Sequence, residues 1–183
     1  MSATPTALRE RMGTILVLHA EPHPNEPANH DAAGWMGPEV IRQEQTGRFV
    51  IAIRENFVHN DHVLVHELGH FFYCLEGDQS FIDCDDYAHN EGDYNPVCFR
   101  PGSVVGEFVK DFWPTLQACE RNDFASDYAR TNPIEDAAES FASFVFNDSG
   151  KSGSVANDKI TFFYQFPTMI AARDRLRATL DLT

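Results

Sequence analysis

The segment HVLVHELGHFFYCL, residues 62–75, is apolar on every face of a helix, yet it carries His66, Glu67 and His70. A helix that is hydrophobic all round is a buried one, and burying three polar groups is costly unless something satisfies them. Asn60 or Asp61 can cap the start of such a helix and Gly77 can end it. His66 and His70 stand one turn apart and project from one face. Two imidazoles so placed can grip one zinc ion, at nitrogen–metal distances of about 2.0–2.1 Å. Glu67 is then beside the ion without binding it, a placement that suits a general base acting on water. The competing reading is a pair of hydrogen-bonded structural histidines, since the chain holds eight His.

A catalytic zinc needs a third protein ligand and an open fourth position. The extended pattern HExxHxxGxxH is excluded, because Tyr73 stands where its glycine belongs and Glu76 where its last histidine belongs. Farther along, Asn132-Pro133-Ile134-Glu135 opens a predicted helix that runs to about Phe146, with Asn as cap and Pro in the first turn. Its core stripe is Ile134, Ala137, Ala138, Phe141, Phe144 and Val145. Glu135 and Glu139 lie one turn apart beside that stripe and aim inward. One can ligate zinc while the other orients a ligand histidine. Each also has a plainer reading, Glu135 as a capping-box residue reaching back to Asn132 and Glu139 as a solvated surface charge.

The rest of the chain frames these two helices. Residues 13–20 and 48–54 are short β-branched runs and read as strands. Between them, segment 22–38 holds Pro22, Pro24, Pro27 and Pro38 and reads as a surface excursion without regular structure. Residues 76–103 read as a long solvated acidic loop. It lacks the EF-hand pattern of calcium ligands, and a separate metal site at Asp85, Asp86 and His89 is a weaker reading than a wet loop. Val104 onward is helical up to Trp113, before Pro114. A last helix runs from about Ile160 to Leu180, kinked or divided at Pro167. His62 and Cys74 flank the histidine pair by one turn and read as a helix-start residue and a core or disulfide cysteine, since a fourth protein ligand would close the site. Cys74, Cys84, Cys98 and Cys119 are compatible with two disulfides or with four thiols. Ser140 and Ser143 have no histidine in an evident triad relationship.

Composition narrows the classes of partner. The 183 residues include 14 Lys+Arg against 28 Asp+Glu, a net charge of −14, so phosphate backbones and anionic lipid are repelled and nucleic-acid or membrane-surface binding is not expected. No run approaches the roughly 18 apolar residues of a membrane span. Ile15–Leu18, after Arg9 and Arg11, is too brief for a signal peptide's apolar region of about 7–15 residues, so the chain either stays inside the cell or is a mature form. One domain is expected at this length.

VHELGH at 65–70, followed by the run from Tyr128 to Phe141 (YARTNPIEDAAESF), resembles the zinc-peptidase domain of anthrax lethal factor and the related Pro-Pro endopeptidases. It is closer still to bacterial zinc-binding metallopeptidases that carry a YARTNPxED-AE-F stretch. The shared pattern is a Tyr, then Thr-Asn, then a Glu seven positions after the Tyr, then Ala-Glu and an aromatic. The closing KITFFYQF at 159–166 is similar to the family's last helix, so the resemblance spans roughly residues 60–180. It implies His66, His70 and Glu135 as zinc ligands, Glu67 as the base, Glu139 as a residue orienting a ligand, and Tyr128 as a phenol facing the metal opposite the base. A tyrosine hydroxyl there would stabilise the oxyanion formed at a peptide carbonyl; its plainer reading is a packed aromatic. The resemblance does not reach the cysteine-bearing acidic segment at 74–103 and implies no substrate preference.

The expected architecture is α+β and zincin-like. A small twisted sheet packs on the HELGH helix, a mainly helical second lobe supplies Glu135 and Tyr128 across a cleft, and the strand just before the metal helix forms the cleft's edge. An extended peptide can add to such an edge. The expected activity is that of a zinc-dependent endopeptidase acting on a protein or peptide substrate. A zinc hydrolase of a non-peptide amide and a catalytically inactive zinc-binding protein are the alternatives.

Overall fold

The computed structural model describes residues 12–18, 33–41, 44–76, 102–113, 123–146 and 153–182. The acidic segment at 77–101 with Cys84, Cys98 and the Asp85/Asp86/His89 group lies outside these residues, as does Cys119; of Cys74 only the backbone is described. The chain divides into two compact units, Met1–Phe71 and Phe72–Thr183, and the division falls inside a helix. Among the described residues strands come first and helices follow, an α+β arrangement.

The first unit holds a three-stranded mixed sheet of β1 (Met12–Leu18), β2 (Gly34–Ile41) and β3 (Glu44–Arg54), in the order β1-β3-β2. β1 runs parallel to β3, with Ile15 opposite Ile51 and Val17 opposite Ile53. β2 runs antiparallel to β3, with Gly34 opposite Ile53 and Trp35 opposite Ala52. Because β3 is central, Val50, Ile51, Ala52 and Ile53 are all buried, which is why its sequence is a continuous apolar run rather than an alternation.

Two expectations are corrected here. The presumed irregular excursion at 22–38 ends in strand β2 from Gly34, and Pro38 is paired opposite Phe49. Proline lacks the ladder donor but is tolerated on an edge strand, and β2 has β3 alone as its neighbour among the described residues. The register shifts directly after Pro38, as a bulge beside a missing donor would produce. The strand preceding the HELGH helix is β3, which is paired on both sides and forms no edge.

After a 3-10 turn at Glu55–Phe57, helix α1 spans Asp61–Glu76. Asn60 caps it: its side-chain oxygen accepts from the His62 amide at 3.1 Å. The ring of Phe71 meets Phe49 of β3 edge-on, with centroids 6.1 Å apart, so α1 is anchored to the central strand through its own apolar face. Val65, His66, Glu67, Gly69 and Phe71 are buried.

The described residues of the second unit are helical. They include α2 (Val104–Phe112), a 3-10 turn at Tyr128–Thr131, α3 (Pro133–Phe146), α4 (Val155–Phe162), a 3-10 turn at Phe163–Gln165 and α5 (Pro167–Thr179). The chain breaks as expected at Pro167, while the helix before it starts earlier than Ile160 because Ser154 caps Val155 through the Asn157 amide. Phe163 is fully buried with Phe108, Phe141, Phe144 and Phe162 around it, at ring centroids 5.5 to 6.1 Å away. Such aromatic pairs contribute about 0.5–1.5 kcal/mol each beyond area burial. Arg173 and Arg177 of α5 donate to the carbonyls of Phe144 and Val145 at 2.9 and 2.7 Å. They satisfy backbone acceptors that the end of α3 leaves without helical partners.

Candidate metal centre

The local folding of α1 brings the first two donors together. Four positions apart on one helix, His66 and His70 place their Nε2 atoms 3.0 Å apart, and their rings meet edge-on with centroids at 4.7 Å. His66 is buried and His70 half-buried. The third donor comes from the first turn of α3. There the Asn132 side chain accepts from the amides of Ile134 and Glu135, both at 2.9 Å, so the predicted cap forms and fixes the first turn, in which Glu135 is the third residue. The ring of Phe72, two residues beyond His70 on α1, packs on Phe141 of α3 at 5.9 Å.

One ring nitrogen of His66, one of His70 and one carboxylate oxygen of Glu135 lie within 4.8 Å of one another, a group positioned to bind a metal ion. Oε2 of Glu135 is a buried atom. Two neutral imidazoles and one carboxylate are a donor set that suits a borderline divalent ion. Three protein ligands leave a tetrahedral ion one further position.

Glu67 is buried at 5% exposure, next to His66 on α1, with its carboxylate against the backbone of Gly34. Glu139 is buried one turn after Glu135, which removes its reading as a solvated surface charge. Tyr128 is 48% exposed on the 3-10 turn that precedes α3, so it is not a packed core aromatic. His62 sits at the helix start, as read, and is not one of the three clustered donors. Ser140 and Ser143 are buried, and the Ser140 hydroxyl donates to Asp136 at 3.4 Å.

A second polar assembly had no counterpart in the sequence reading. Lys159 of α4 and Asp136 of α3 form an ion pair at 2.7 Å, both side chains wholly buried. The Trp113 indole donates to the same carboxylate at 2.8 Å, and the Lys159 ammonium lies 4.0 Å from the centre of the Phe124 ring. Burial pushes the Asp136 carboxyl above its usual range, opposed by Lys159 and by the hydrogen bonds from Trp113 and Ser140. Asp136 follows Glu135 directly, so this ion pair pins the turn of α3 that carries the carboxylate donor. The only signal in the sequence was a charge at each of two positions that helical spacing turns inward.

No protein-family model, characterised protein or solved structure matches the chain.

Proposed function

We propose that the chain is a zinc-dependent endopeptidase. The observation that carries this reading is the grouping of His66, His70 and Glu135 within 4.8 Å, with Glu67 adjoining it in the same helix. The resemblance of VHELGH and YARTNPIEDAAESF to lethal-factor-like zinc peptidases supports it independently of the geometry.

In this reading His66, His70 and Glu135 hold zinc, which when bound supplies Lewis acidity to a carbonyl and to water. Glu67 takes a proton from the attacking water and returns it to the leaving amine, so that no covalent enzyme intermediate forms. The Tyr128 hydroxyl donates a hydrogen bond to the oxyanion that develops on the carbonyl, an interaction commonly worth about 2.7–4 kcal/mol. Glu139 orients a ligand imidazole and fixes its tautomer. An extended peptide has a place to pair along β2, the strand whose first residue lies against Glu67 and whose outer edge has no strand neighbour among the described residues.

Incubation of the zinc-loaded protein with a proteome-derived peptide library tests the activity and reads out sequence preference together. Cleavage is expected for the wild-type chain. Glu67→Gln is expected to keep its zinc and lose nearly all cleavage. A zinc-loaded wild type that cleaves no peptide contradicts the reading, and small amide substrates assayed alongside separate a non-peptide hydrolase from an inactive binding protein.

A further inference from the structure

Gly34 opens β2 opposite Ile53, and the carboxylate of Glu67 sits against it. A Cβ built on Gly34 would stand 2.6 Å from Oε1, 2.9 Å from Cγ and 3.0 Å from Cδ of Glu67, where ordinary contacts begin at 3.4 Å. The collision involves the stem of the side chain as well as its tip. Glu67 is only 5% exposed, so it cannot relieve the contact by swinging into solvent. The backbone does not demand a glycine here: among the described residues, only Gly102 and Gly153 are glycines with positive φ. The requirement for glycine at 34 therefore comes from the neighbouring carboxylate and not from strand geometry.

We infer that Gly34 is a positioning residue, whose absent side chain forms the socket that sets where the Glu67 carboxylate lies. Any larger residue displaces that carboxylate by about half to one ångström, and a misplacement of about 1 Å in a reacting group can lower a rate about 100-fold. The role assigned to this displacement in catalysis rests on Glu67 being the base; the socket itself does not.

A thermal-unfolding cycle tests the socket without reference to activity. Gly34→Ala in the wild-type chain is expected to lower the midpoint by about 3–10 °C, the range for an overpacked site in a domain of this size. In a Glu67→Ala background the same substitution is expected to be neutral or to raise the midpoint, because the collision is gone and alanine has less backbone freedom to lose on folding. An equal drop in both backgrounds overturns the inference. If Gly34→Ala alone does not fold, folding of the Gly34→Ala/Glu67→Ala double variant supports the socket and failure of both overturns it. For the positioning role, Gly34→Ala is expected to retain full zinc content while kcat for peptide cleavage falls about 10- to 100-fold at little-changed KM. Unaltered kcat in a folded, zinc-loaded Gly34→Ala protein overturns that role. A wild type without peptidase activity overturns the proposed function and leaves the unfolding cycle to decide the socket.

Discussion

Nε2 of His66 and Nε2 of His70 stand 3.0 Å apart on one face of α1. Two nitrogens bound to a tetrahedral zinc at its usual bond length are about 3.3 Å apart, so one turn of helix delivers the pair to within a few tenths of an ångström of chelation. Replacing either with alanine leaves two protein donors. Elemental analysis after dialysis is expected to show about one zinc per wild-type chain and below about a tenth of that in His66→Ala or His70→Ala. Full zinc content in either variant removes that histidine from the site.

Glu135 and Glu139 occupy successive turns of α3, and only Glu135 joins the histidine nitrogens within 4.8 Å. Loss of a partner that merely orients a ligand costs about 10- to 100-fold in metal affinity. Glu139→Gln is expected to fall in that range and Glu135→Gln to exceed it, as measured by competition with a fluorescent zinc chelator. The reverse order exchanges the two roles.

Tyr128 is half exposed on a short turn, so removing its hydroxyl should not disturb the fold. Tyr128→Phe is expected to bind zinc normally and unfold at the wild-type temperature, yet to lose about 100- to 1,000-fold in kcat. Steady-state kinetics on the best library-derived peptide provide the check, and a kcat within a factor of two of wild type would dismiss the hydroxyl as an oxyanion donor.

The Lys159–Asp136 pair is buried on both sides. Breaking such a pair by removing one member typically costs about 3–5 kcal/mol, whereas neutralising both is far milder. Lys159→Met is expected to show the large loss in denaturant unfolding, and adding Asp136→Asn to recover most of it. If the two losses simply add, the pair does not act as a unit.

Local signals were legible and distant ones were not. The helix at 61–76 and the capped start of α3 follow from side chains within a turn of one another, and the structure keeps both. Pro167 ends a helix by its own chemistry. Strand β2 was missed because glycine and proline are poor strand formers; what recruits Gly34–Ile41 is its pairing with β3, which no window of sequence reports. The place of β3 at the centre of the sheet likewise depends on which strands flank it. At the candidate site, spacing along one helix paired His66 with His70, whereas Glu135 rested on resemblance and on an inward-facing turn. The contact between Gly34 and Glu67 joins residues 33 positions apart, and neither carries a mark of the other in its neighbourhood of sequence.

X-ray absorption at the zinc edge of the loaded protein tests the central claim most directly. The expected first shell holds two imidazole nitrogens and two light oxygens, one from Glu135, at about 2.0–2.2 Å, with no scatterer at the roughly 2.3 Å of a thiolate sulfur. Glu135→Gln should then weaken binding and alter that shell. A sulfur in the shell, or a shell unchanged in the Glu135→Gln protein, would show that the ion is held by other residues.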